Sequence, residues 1–445
     1  MRKKRFLALL LTAVLGLSLL SGCGQTANNP KETKEKETVK PEANKPETGA
    51  EKKETERIEL TMWGGWSGDQ VAQLEAQLNS YNESQDRYMV KYVVQEAMEE
   101  KLLTAIAGGE LPDILLWDRY NTGVYARRGA LEPIDDLVKQ DGVELADFFE
   151  PAVDEMTVEN TLYGLPLLVD ARILFYNKAL FREAGVEADS IKNWDDLEAA
   201  AVKLTKREGT QLDQAGFSLK DVGLFSIWLA QAGGKLVDTS ANPAKTAYNS
   251  EQGMTVLRYW DKLLNQDKVY ELGFEDSYGG NGFKAGKVAI TYDGPWSLTD
   301  YEKAGIDYGV IANPVGPNGD KGAFMGGFGL ALPKGGKNKE AAWDFVKWWT
   351  TQPKNGVDFA KISGWIPANK KAAADSYFTE NEYYKVFVEV MGYAQIRPKT
   401  AGYSDAEGLA LIPQLQKFQA GEITAEDALS EAQKQGDKIL AESEK

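Results

Sequence analysis

The chain has 445 residues, a formal net charge of −16 at pH 7, no histidine and one cysteine, with 43% hydrophobic and 27% charged residues. That balance belongs to a folded protein rather than a disordered or fibrous one, and the length suits two to three domains. It excludes Ser-His-Asp and Cys-His catalysis, histidine or cysteine-cluster metal sites and an intramolecular disulfide; the acidity argues against nucleic acid and against a cationic membrane-binding patch.

Arg2, Lys3, Lys4 and Arg5 precede an apolar run, Phe6 to Leu20. The run is shorter than the about 20 residues of a spanning helix and reads as a signal peptide over residues 1–22. Leu20-Ser21-Gly22-Cys23 follows, and it resembles a bacterial lipobox. That resemblance implies lipidation of Cys23, cleavage before it, and a protein anchored by lipid alone to the outer face of the cell membrane. Residues 23–57 alternate Lys and Glu with Pro, Thr and Asn, and Val39 is their only large aliphatic residue. Such a segment buries too little surface to offset its ordering entropy, so it reads as a disordered tether with an average reach of about 30–35 Å.

Ile58 to Trp63 reads as a strand running into Gly64-Gly65. Val71, Leu74, Leu78 and Tyr81 recur at helical spacing. Tyr88 to Val94 alternates as a strand, Lys101 to Ala107 is helical, and Ile114 to Trp117 is a short buried strand. This succession predicts a parallel α/β sheet. The pattern resumes with a strand at Arg172 to Tyr176, and Asp195-Asp196-Leu197-Glu198 resembles a capping box opening a helix through Lys203. Val288 to Tyr292 and Gly327 to Leu332 are further strands. Ala342, Phe345, Val346 and Trp349 mark one helix face, with Trp343 and Trp348 read as packing. Thr424 precedes a C-terminal helix.

Five stretches in order carry a family resemblance: Tyr163–Gly185 (YGLPLLVDARILFYNKALFREAG) with Asn193–Leu197 (NWDDL), Gly286–Trp296 (GKVAITYDGPW), Leu332–Thr351 and Gly364–Ala372 (GWIPANKKA). They resemble the family 1 extracellular solute-binding proteins of bacterial ABC importers, the maltose-binding-protein-like group. The resemblance implies an α/β, two-lobed periplasmic-binding-protein fold of type II, with discontinuous lobes joined by hinge crossings. The expected division is residues 58–168 plus 327–372 for the N-terminal lobe and 169–326 plus 373–445 for the C-terminal lobe.

It also implies an interlobe sugar site, built from aromatic platforms for C–H faces and polar groups for hydroxyls. The candidates are Trp66 in the glycine loop after the first strand, Glu99 before the third, and Asp118 and Arg119 at its end. Asp170 and Arg172 follow at the first crossing, Trp228 on a helix before Gly233-Gly234, and Trp296 after Gly294-Pro295. Gly327 at the second crossing, Trp365, Arg397 and Tyr403 complete the set.

The expected function is capture of a carbohydrate, an oligosaccharide before a monosaccharide, and its delivery to ABC permease subunits by a monomeric, cofactor-free and metal-free binder. Arg119, Arg172 and Arg397 leave an anionic sugar open, and a polyol phosphate is the runner-up solute. A surface glycoside hydrolase, which needs two carboxylates and no histidine, and a non-transporting sensor of the same fold are the alternatives.

Overall fold

Alternation in IELTMWG buries Leu60, Met62 and Gly64 on one side of the strand Ile58–Gly64. The computed structural model describes residues 57–443, so the signal peptide, Cys23 and all of the tether before Arg57 lie outside the described residues. The first strand pairs in parallel with Tyr88–Val94, from Ile58 opposite Tyr88 to Gly64 opposite Val94, and on its other side with Ile114–Asp118. The helix Asp69–Ser84 between the first two strands buries Leu74, Leu78 and Tyr81.

The sheet then departs from the all-parallel expectation. Its fourth strand, Phe328–Ala331, comes from far along the chain and runs antiparallel to Ile114–Asp118, with Phe328 opposite Asp118. Gly164–Pro166 closes the row on its far side.

The second sheet is antiparallel. Ile173–Asn177 is its centre, and Ile290–Asp293 and Tyr308–Ile311 flank it, both antiparallel to it. The flanking strands are therefore parallel to one another, and the crossover that parallel strands require contains the helix Ser297–Lys303. The helix expected at Asp195 starts at Trp194. Asn193 Oδ1 accepts from the Asp196 N–H at 3.0 Å, and Asp196 Oδ2 accepts from the Asn193 N–H at 3.2 Å. The capping box thus sits two residues earlier than its predicted position, because the extended backbone of Asn193 lets Trp194 enter the core as the first helical residue.

Two hydrophobic cores underlie the two sheets. One holds Leu60, Leu116, Leu165, Leu330 and Trp349; the other holds Phe175, Trp228, Trp260, Tyr301 and Leu440. The chain passes between the cores at Leu168 to Val169, Met325 to Leu330 and Trp365 to Ile366, and Phe148, Ala152, Val357 and Ala360 also pack with the second core. Ile366, Ala368 and Ala372 pack with the second core, and the strand Ile366–Pro367 is part of the connection.

The three crossings form one ribbon. Leu168–Ala171 pairs antiparallel with Met325–Gly326 on one side and with Ile366–Pro367 on the other. Gly327 follows at φ 126°, and a Cβ there would stand 2.2 Å from the Leu168 carbonyl oxygen and 2.7 Å from an Arg119 terminal nitrogen. Only glycine combines that backbone angle with that approach. The C-terminal helix Ala425–Ser443 packs Leu429 and Leu440 into the second core. Among the described residues no helix is long and apolar enough to cross a membrane.

Candidate functional site

Where the crossings meet the lobes, a cavity of about 520 Å³ opens. Trp66, Asp118 and Phe328 reach it from the first lobe, Asp221, Ser226 and Trp296 from the second, and Asp170, Gly326 and Gly327 from the ribbon. One wall is a row of rings. Phe328 meets Trp66 edge-on at 5.1 Å, Trp365 stacks on Trp66 at 5.5 Å and 18°, and Trp296 lies on Trp365 at 4.6 Å and 36°. Among the described residues the buried Trp365 indole N–H has no hydrogen-bond partner. Gly294 sets the Trp296 ring: a Cβ at 294 would lie 2.1 Å from the ring's Cη2, so the indole folds back over bare backbone.

The opposite wall is polar. The strand Ile114–Asp118 ends in a 3₁₀ turn, Arg119–Asn121, in which Asp118 Oδ1 accepts from the Tyr120 N–H at 3.1 Å. The turn sends Arg119 inward and delivers Asp118 and Tyr120 to the cavity. Tyr120 donates its hydroxyl to Glu407 at 2.7 Å, and the Arg397 guanidinium lies over the Tyr120 ring at 4.6 Å. Arg397 Nε is buried, has no hydrogen-bond partner among the described residues and stands 4.0 Å from Glu407 Oε2.

Asp170 is 7% exposed. Among the described residues, no donor pairs its carboxylate, although the main chain around it is fully committed to the ribbon. Burial pushes the Asp118 and Asp170 carboxyls up from their ordinary range; nearby arginines, Arg397 at Asp118 and Arg172 at Asp170, pull only partly the other way. Asp118, Asp170, Asp221 and Glu407 face the same space as Arg172 and Arg397, so acid exceeds base in the cavity. Among the described residues no acidic or cysteine cluster is arranged to hold a metal ion.

The structure brings Trp66, Asp118, Asp170, Arg172, Trp296, Gly327, Trp365 and Arg397 together around the cavity. Four sequence candidates stand elsewhere. Arg119 is fully buried and braces the crossings. Trp228 is 1% exposed. It packs between Trp194 at 5.2 Å and Tyr292 at 5.6 Å, because its short helix, Phe225–Gln231, is buried all round. Tyr403 is buried behind the site, donating to Glu407 at 3.2 Å. Glu99 accepts from Asn121 Nδ2 at 3.0 Å and lies off the cavity, in the acidic first turn of the helix Met98–Gly108.

Sequence reasoning passed over Tyr120, Asp221, Ser226, Phe324, Phe328 and Glu407. Tyr120 and Phe328 adjoin residues that were chosen, and the Asp221-x-Gly223 turn signal was readable, since Asp221 Oδ1 accepts from the Gly223 N–H at 2.9 Å. Nothing local marks Glu407. It enters through a π-helical stretch, Ala406–Leu411, whose period does not follow the usual helical count.

Two α/β lobes, three crossings and a cavity between them define the two-lobed periplasmic-binding-protein architecture. The family model for bacterial extracellular solute-binding proteins matches residues 76–386, and the chain belongs to that family. It is similar to the maltotriose-binding protein of Pyrococcus abyssi, 26% identical over 311 residues, covering 68% of this chain and 65% of that one. Among solved structures it resembles an ABC transporter solute-binding protein of Thermotoga lettingae bound with α-D-tagatose. There the TM-score is 0.76 and the identity 26%, over 86% of this chain and 100% of the other. It also resembles the GacH receptor of Streptomyces glaucescens, solved unliganded and with acarbose, at TM-score 0.75 and 26% identity, over 86% of this chain and 98% of the other.

Proposed function

We propose that this protein captures a carbohydrate in the interlobe cavity and passes it to the permease of an ABC importer, held at the cell surface by lipid on Cys23. The observation that carries the reading is Asp170, a buried carboxylate with no partner among the described residues, facing a cavity walled by Trp66, Trp365 and Trp296. A desolvated carboxylate is costly unless hydrogen-bonded, and a sugar supplies hydroxyl donors beside an apolar ring face. The excess of acid over base favours a neutral sugar over a uronic acid or a polyol phosphate. The relatives support the solute class: one is named for maltotriose, and two neighbours were solved with tagatose and acarbose.

An oligosaccharide fits better than one ring. The cavity shares Arg172 and Trp296 with an adjoining chamber of about 290 Å³, and Arg397 and Phe324 with another of about 540 Å³. The residues proposed to touch it are Trp66, Asp118, Asp170, Trp296, Trp365 and Arg397, with Tyr120 and Glu407 added. The protein binds and does not turn its ligand over.

Calorimetric titration of the full chain against neutral mono-, di- and trisaccharides tests this. A micromolar or tighter dissociation constant for at least one, worth about −8 kcal/mol or better, with the sugar recovered intact, is expected. Cleavage beyond one equivalent, or no binding across the panel, overturns it.

A further inference from the structure

The Trp296 ring is covered by two side chains besides the Gly294 backbone over which it folds. Trp365 lies on it at 4.6 Å, and the Arg172 guanidinium carbon lies over the ring at 4.4 Å. The two covers differ in how firmly they are held. Trp365 is 4% exposed and stacked on Trp66, so moving it disrupts the row of rings.

Arg172 is held loosely. Its side chain is 36% exposed, its ion pair with Asp293 spans 3.7 Å, and among the described residues it makes no side-chain hydrogen bond. A guanidinium is flat, presents an edge of donors and stacks on aromatic faces at the spacing a sugar ring uses.

We propose that Arg172 is a placeholder: in the ligand-free protein its guanidinium takes the face of Trp296 that the sugar later occupies, and binding displaces it. This rests on the sugar-binding reading above, and it makes Arg172, a site candidate in the sequence, a competitor of the sugar and not a contact. The space it needs already exists, because Arg172 lines both the main cavity and the adjoining chamber of about 290 Å³. The carboxylates of Asp221 and Asp293 line that chamber and receive the displaced cation. The placeholder keeps the platform from being an open apolar surface when no sugar is present, and it sets a threshold that a weakly stacking solute does not pass.

Two measurements on the full chain test it. Without sugar, N-bromosuccinimide oxidation followed by peptide mass spectrometry reads the cover directly: Trp296 in Arg172→Ala and Arg172→Gln should oxidise at least threefold faster than in the wild type. With maltotriose as the probe, calorimetry should show both variants binding at least threefold more tightly. Unchanged oxidation removes the cover, and weaker or unchanged maltotriose binding by the variants makes Arg172 a contact or a bystander; either result overturns the placeholder alone. A wild type that binds neither maltotriose nor any other sugar overturns the sugar-binding reading, and the placeholder with it, whatever the oxidation shows.

Discussion

The Arg119 guanidinium meets the Glu155 carboxylate at 3.0 Å with side chains 0% and 5% exposed, inside the first lobe and directly behind the crossings. The remaining N–H groups of Arg119 go to main-chain carbonyls: Gly326 at 2.6 Å, Phe328 at 3.2 Å and Leu168. One side chain thereby holds two of the three crossings in register. Removing one member of such a pair leaves an uncompensated buried charge and typically costs about 3–5 kcal/mol. Arg119→Met is expected to lower the stability of the ligand-free protein by that order in denaturant unfolding.

The pair also sets a pH dependence. Burial raises the Glu155 carboxyl to about 7, with Arg119 pulling the other way. Between the ordinary carboxylate range and pH 7 the folded chain therefore binds more protons than the unfolded one, and stability falls as pH rises through that window. Glu155→Gln removes this titration. Measured against wild type by thermal melting, the variant should gain on it between pH 5 and pH 8; a constant difference would show that Glu155 does not titrate there.

Asp170→Asn should separate stability from affinity. Burial disfavours the charged form of the Asp170 carboxylate, which has no donor among the described residues, so an isosteric amide is expected to raise the melting temperature of the ligand-free protein at pH 7.5. The same change should weaken sugar binding at least tenfold, because a charged hydrogen bond is replaced by a neutral one. Calorimetry and melting of the one variant read both effects.

Two tryptophans should respond in opposite ways. Trp228→Ala opens a cavity in the second core and should cost about 3–5 kcal/mol of ligand-free stability. Trp296→Ala should cost clearly less ligand-free stability than Trp228→Ala and weaken sugar binding at least tenfold, the loss of an anchor worth about 2 kcal/mol or more. Equal destabilisation by both would return Trp296 to the core.

Cys23→Ser should leave an unlipidated product. In detergent-phase partition the wild type is expected with the detergent and the variant in the aqueous phase, since stable anchoring needs more than one acyl chain.

Much of the frame was legible because it rests on local signals. The alternation at Ile58 to Trp63, the helical spacing from Leu74 to Tyr81 and the glycine pair at 326–327 each report their own geometry. What escaped depends on partners remote in sequence. The antiparallel fourth strand was hidden because pairing direction is fixed by where the chain returns, not by its composition. Arg119 and Asp118 are adjacent, yet a 3₁₀ turn sends one into the core and its neighbour into the cavity. Trp228 carried the same aromatic signal as Trp296; the difference is that Trp228 is on the core side of its helix, packed on Trp194 and Tyr292, whereas Trp296 follows a proline turn at a strand end.

The strand Phe328–Ala331 lies between Ile114–Asp118 and Gly164–Pro166 in the first sheet. Those two neighbours leave the ribosome long before it does, and until it arrives they have no hydrogen-bonded connection to each other. The N-terminal lobe therefore cannot complete its core while most of the second lobe is still being made. Contacts of such long sequence separation delay folding. That delay keeps the polypeptide unfolded for longer, so the order of strands in the sheet also times the commitment to fold.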